Sequence, residues 1–233
     1  MGINILQKIQ SFFRSDPSPQ FIARQLRKPS GEFAETVAEK MNQVNKPLFD
    51  LTCQTLQIND NESILEIGFG SGKFFPRLFQ QAEGVQINGI DHSEEMVQEA
   101  RRKNENLIDS GQLQIIRANS NDIPFSDQSF DKVFCNMVIY FWDQPEDHLE
   151  EIHRVLKPGG KFYTGMRSTE SMKVFPFVEY GFNLFGVSDW TTLLEENGFE
   201  NIQTELQSDP EIQLDGKPLR MESICVVATK GGV

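Results

Sequence analysis

The chain has 233 residues, 38% hydrophobic and 24% charged, which is enough for one well-packed domain with additional elements. A formal net charge of −12 argues against a nucleic-acid partner, whose phosphate backbone selects basic surfaces. Cys53, Cys135 and Cys225 are odd in number and widely spaced, and His92, His148 and His153 form no ligand pattern, so neither a disulfide framework nor a metal site is expected.

Along the chain, Ile3, Leu6, Ile9 and Phe13 recur at helical spacing. This reads as a short amphipathic helix that either packs on the protein or makes a peripheral membrane or partner contact through residues 1–14. No stretch approaches the roughly 18 apolar residues needed to span a bilayer, and no signal-peptide centre is present, so a cytoplasmic compartment is expected. Asp16-Pro17-Ser18-Pro19 interrupts the chain. Residues 20–57 read as helical, with a break at 27–31 and a kink or restart at Pro47.

From residue 63 apolar runs alternate with helical segments. Strands are expected at 63–68, 85–91, 112–117, 130–137 and 161–166. Helices are expected near 72–82, from Ser93 toward Asn106, and from Pro145 through Leu156. Such alternation predicts an α/β fold, a mostly parallel sheet with helices on both faces. Residues 167–187 are rich in Phe and Gly and resist assignment. A helix over 188–197 follows, and strands at 202–206 and 223–229 suggest an antiparallel pair at one edge.

The first strand runs into Gly68, Gly70 and Gly72, a G-x-G-x-G loop that suits an adenosine-type cofactor. A dinucleotide fingerprint needs G-x-G-x-x-G, and Lys73 stands where its third glycine belongs. A phosphate-cradling loop needs Gly-Lys-Ser/Thr, and here Phe74 follows Lys73. Glu66, two residues before the loop, would repel a pyrophosphate but suits an ammonium or sulfonium group. Asp91 ends the second strand, where an acid can accept both ribose hydroxyls.

With Leu65-Glu66-Ile67-Gly68-Phe69-Gly70-Ser71-Gly72, Gly89-Ile90-Asp91-His92-Ser93-Glu94-Glu95-Met96, Ala118-Asn119-Ser120-Asn121-Asp122-Ile123-Pro124-Phe125 and Leu156-Lys157-Pro158-Gly159-Gly160, the chain resembles the class I S-adenosylmethionine-dependent methyltransferases, specifically the methyltransferase type 11 group. The resemblance is clear over about residues 60–166. It implies a doubly wound, seven-stranded Rossmann-like sheet with an antiparallel edge strand. It also implies an N-terminal helical lid, residues 1–58, ahead of a methyltransferase domain, residues 59–233. Glu66 and the loop from Gly68 to Gly72 would hold the methionine moiety, and Asp91 the ribose. His92 and Met96 would flank the adenine. Asn119, where the family often has an acid, would accept the adenine amino group through its side-chain carbonyl. Ser120 and Asn121 would present backbone N–H groups, and Asn136 would lie near the reacting methyl.

The acceptor is expected to be a small or lipid-like molecule. Tyr140 and Trp142 follow the fourth strand and line its pocket or else form core. Arg167 meets an anionic substrate group or lies on the surface. Asn42 and Asn45 line a closed site or face solvent. No residue stands out as a catalytic base, and oligomeric state is open. An NAD-dependent oxidoreductase and a non-catalytic cofactor-binding protein on the same fold are the alternatives.

Overall fold

A computed structural model describes residues 18–214 and 217–232, so the amphipathic segment expected over residues 1–14 lies outside the described residues. Among the described residues three α-helices precede the sheet: α1 (Pro19–Arg27), α2 (Ala34–Val44) and α3 (Lys46–Leu56). Ser18 caps α1 by accepting the Phe21 N–H at 3.2 Å, and Pro19 supplies the preset φ of the first turn. Pro47 sits in the first turn of α3, where a missing N–H breaks no helical bond, so it restarts the helix rather than kinking it.

The sheet contains β1 (Ser63–Ile67), β2 (Gln86–Asp91), β3 (Leu113–Arg117), β4 (Phe130–Asn136), β5 (Leu156–Arg167), β6 (Phe199–Ser208) and β9 (Glu222–Lys230). Their order is β3-β2-β1-β4-β5-β9-β6. The first five are mutually parallel, with Ser63 opposite Gln86 and Cys135 opposite Thr164. β9 runs antiparallel to both β5 and β6, so the reversed strand is inserted just inside the edge. A two-stranded ribbon, β7 (Ile212–Leu214) and β8 (Lys217–Leu219), occupies part of the connection between β6 and β9.

Helices α4 (Phe75–Leu78), α5 (Glu94–Lys103), α6 (Glu105–Asp109), α7 (Pro145–Val155), α8 (Thr169–Lys173) and α9 (Val187–Glu196) complete the described helices. Phe49 and Leu56 of α3, Phe75 and Leu78 of α4 and Val97 of α5 form one apolar cluster against the sheet. Leu149, Ile152 and Val155 of α7 belong to a second, together with Trp190 and Leu194 of α9. Sheet residues such as Ile64, Leu65 and Val133 are fully buried between these layers, which is why their strands carry continuous apolar runs.

Several boundaries differ from expectation, among them a sixth strand that starts at Phe199 instead of residue 202. The helix after the glycine loop is a single turn. The helix from Ser93 ends at Lys103, because Asn104 Nδ2 donates to both Ala100 O (2.9 Å) and Gly72 O (3.0 Å) and turns the chain toward the loop. β5 begins at Leu156, with a register shift against β4 between Phe130 and Lys132 that absorbs the Pro158-Gly159-Gly160 turn. Among the described residues no helix is long and apolar enough to cross a membrane, and no cluster of His, Cys, Asp or Glu could hold a metal ion.

Candidate functional site

A cavity of about 530 Å³ opens beyond the C-terminal ends of β1, β2, β4 and β5, within the usual size range of small-molecule sites. It lies at the switch point of the sheet, between β1 and β4, as expected for an open α/β architecture. Its lining includes Glu66, Gly68, Gly70, Asp91, His92, Met96, Asn119, Ser120, Asn121 and Asn136, brought together from four strands and their loops. Asn42 and Asn45 line it from α2 and the α2–α3 junction, and Trp142 and Arg167 from the far side.

Gly68, Gly70 and Gly72 all have left-handed φ, between 57° and 71°. Gly72 does not line the cavity. A Cβ there would fall 2.7 Å from the Ala100 Cβ, so this glycine lets the loop pack tightly on α5.

Two carboxylates dominate the electrostatics. Asp91 Oδ2 accepts the Gly70 N–H at 3.0 Å and Oδ1 accepts the Ser93 N–H at 2.9 Å, with the His92 N–H also directed at the carboxylate. Burial pushes its pKa up to about 6 against the opposing backbone N–H groups. Glu66 has no hydrogen-bond partner among the described residues. Burial, reinforced by Asp91, pushes it up to about 8. A cation beside it would reverse that shift.

Asn136, at the tip of β4, is held by Thr52 of α3, whose hydroxyl lies 2.7 Å from Asn136 Oδ1. Its Nδ2 is buried without a partner. Asn42 Nδ2 donates to Ser71 Oγ at 2.9 Å, joining α2 to the glycine loop. Met96 is buried against Ala34 and Ala38 at the start and middle of α2.

On the acceptor side the structure selects the core alternative for Tyr140 and corrects both expected settings of Arg167. Tyr140 does not line the cavity. It is buried core, its hydroxyl accepting the Arg167 N–H at 2.7 Å and donating to Arg167 O at 3.2 Å, so it clamps β5 to the turn after β4. Arg167 is neither a surface residue nor an open anion receptor. It is 1% exposed, its Nη1 pairs with Asp209 and donates to Ser223 Oγ at 2.9 Å, and its Nη2 donates to Val44 O at 3.0 Å.

His148, on α7, also lines the cavity. Its Nδ1 lies 2.7 Å from Ser120 Oγ, and its ring stacks on Trp142 at 4.5 Å and 6°. Burial pushes its pKa down to about 4, so it is neutral near pH 7. Its position on α7 gave no hint of this, because the signal is the approach of the Ser120 loop, distant in sequence. Phe141, Phe175, Phe177 and Phe182 also line the cavity, and three of them come from the segment that resisted assignment.

A family described as "Methyltransferase domain" matches residues 65–164. YdaC of Bacillus subtilis, an uncharacterized methyltransferase, is 27% identical over 187 residues, spanning 80% of this chain and 93% of that one. Among solved structures, a chain in the complex of a methyltransferase with the Haloferax volcanii Trm112 methyltransferase activator superposes with a TM-score of 0.71 at 21% identity, covering 86% of this chain and 96% of that one. Phospholethanolamine N-methyltransferase 2 of Haemonchus contortus, in complex with phosphomonomethylethanolamine and S-adenosylhomocysteine, gives 0.69 at 15% identity, covering 93% and 61%.

Proposed function

We propose that the chain, which is similar over residues 65–164 to the methyltransferase-domain family, is a class I S-adenosylmethionine-dependent methyltransferase that binds S-adenosylmethionine and transfers its methyl group to a small or lipid-like acceptor by in-line displacement. S-adenosylmethionine supplies an electrophilic methyl on a sulfonium. Two unmet groups in the cavity support the fit. Glu66 is a buried carboxylate with no cation beside it among the described residues, which suits the ligand's ammonium. The buried, unpartnered Nδ2 of Asn136 is a donor awaiting an acceptor.

In this reading the Gly68–Gly72 loop carries the methionine end, and Asp91 accepts the ribose hydroxyls alongside the backbone N–H groups already bonded to it. His92 and Met96 flank the adenine, Asn119 accepts its amino group, and backbone N–H groups of Ser120 and Asn121 meet the ring. Helices α1 and α2 act as a lid, with Asn42 joined to Ser71. Orientation and exclusion of water carry the rate, a contribution of roughly 7–11 kcal/mol where the geometry is good. No general base is assigned. The acidic charge of −12 favours a small acceptor over nucleic acid.

The observation that carries the proposal is Asp91 at the tip of β2, bonded to the glycine loop and facing the same cavity as Glu66. S-adenosylhomocysteine is expected to raise the thermal unfolding temperature, and NAD to leave it unchanged. Protection by NAD alone would instead favour the oxidoreductase alternative.

A further inference from the structure

The two halves of the cavity differ in chemistry. Carboxylates, glycines and asparagines come from β1, β2 and β3 on one side of the switch point. Beyond β4 and β5 the wall is apolar. Phe175 stacks on Phe177 (5.2 Å, 15°), Phe177 tilts against Phe182 (5.6 Å), and Phe182 meets Phe141 edge-on (4.8 Å, 62°). Met41, Met172 and Met221 continue the lining.

Among the described residues, no buried charge at this end is free. Arg167 is the cation within it, and its guanidinium is already engaged by Asp209, Ser223 and Val44 O. An anionic acceptor group would have to break that buried pair or lie beside the Asp209 carboxylate. The other charged residues of the lining on this side, Arg27, Asp143 and Asp147, are at the surface, with Arg27 and Asp143 paired at 2.9 Å. Phenylalanine edges and faces and methionine sulfurs all gain more from a flat π-system than from a saturated body of equal size.

We propose that the acceptor is an uncharged aromatic molecule whose ring system lodges among Phe141, Phe177 and Phe182 and against Met41, with its nucleophile directed toward Asn136. The proposal rests on the methyltransferase reading and adds the acceptor class to it. Such an acceptor differs in chemistry from the phosphomonomethylethanolamine found in the complex of one structural neighbour.

The test is calorimetric titration of three probes, naphthol, its saturated analogue decalol and naphthyl phosphate, into the full chain with and without saturating S-adenosylhomocysteine. Naphthol is expected to bind at least about tenfold more tightly than either of the others. Phe182→Glu, at a half-buried position, is expected to weaken naphthol by about tenfold or more and leave S-adenosylhomocysteine binding intact. Phe141→Ala serves as the second variant if that protein does not fold. Equal or tighter binding of naphthyl phosphate or decalol, no naphthol binding, or naphthol binding indifferent to these variants would overturn the proposal. Failure of S-adenosylhomocysteine itself to bind overturns the methyltransferase reading instead, and the titrations without it still show whether the aromatic half of the cavity selects an uncharged aromatic ligand.

Discussion

Glu66 and Asp91 make opposite demands on fold and function. Both are buried acids whose folded-state pKa values, about 8 and about 6, lie above their ordinary values. Such groups contribute stability below the unfolded pKa, and that contribution is lost as pH rises through the folded one. The protein without ligand should therefore lose thermal stability from about pH 4 toward pH 8, and Glu66→Gln should flatten the upper part of that decline. Equal slopes for both proteins in a series of melting curves would argue against it. Binding of an ammonium ligand reverses the demand, because it favours ionised Glu66. Its affinity should rise between pH 6 and about 8 with proton release, a slope that Glu66→Gln abolishes. Arg167 gives a sharper stability test. Asp209→Ala leaves a buried guanidinium without its counter-charge and should cost about 3–5 kcal/mol in denaturant unfolding, whereas replacing both partners by apolar residues should cost far less. A loss under about 1 kcal/mol for Asp209→Ala would contradict the buried-pair assignment. Glu66, Asp91 and the glycines were legible in the sequence because they adjoin one another at strand ends. The pairing of Arg167 with Asp209 was not, since 42 residues and a strand reversal separate them.

At the scale of elements, α2 carries the contacts that close the cavity. Asn42 reaches Ser71, Val44 O accepts from Arg167, and Ala34 and Ala38 cover Met96. These contacts bind α2 to the glycine loop, β5 and α5 at once. S-adenosylhomocysteine bound beneath them should slow amide exchange in residues 34–44, and Asn42→Ala should reduce that protection. Exchange in α2 that is indifferent to the ligand would contradict its role as a lid. Strand and helix positions from 63 to 166 were readable because each is a short apolar run or amphipathic stretch bounded by turn residues. Residues 167–187 were not, since their phenylalanines follow neither a helical nor a strand period. They are placed instead by short turns, α8 and Pro176–Glu179, that aim Phe175 and Phe177 inward. His148 was not legible as a site residue for a related reason: helical periodicity reports which residues face out from α7, and takes no account of the Ser120 loop lying against it.

For the whole molecule, the sheet order β3-β2-β1-β4-β5-β9-β6 decides what the cavity can do. It puts an acidic, glycine-rich half beside an aromatic half across one switch point, with Asn136 at the boundary where the proposed reading has donor and acceptor meet. The reversal of β9 brings Met221 and Ser223 to the same end of the sheet as Arg167, completing the apolar half. The measurement closest to the centre of this account is calorimetric titration of S-adenosylhomocysteine into the wild-type protein and Asp91→Ala. One-to-one binding is expected for the wild type, weakened by about tenfold or more in the variant while the fold persists. Absence of binding to the wild-type protein, or equal affinity for both, would contradict it.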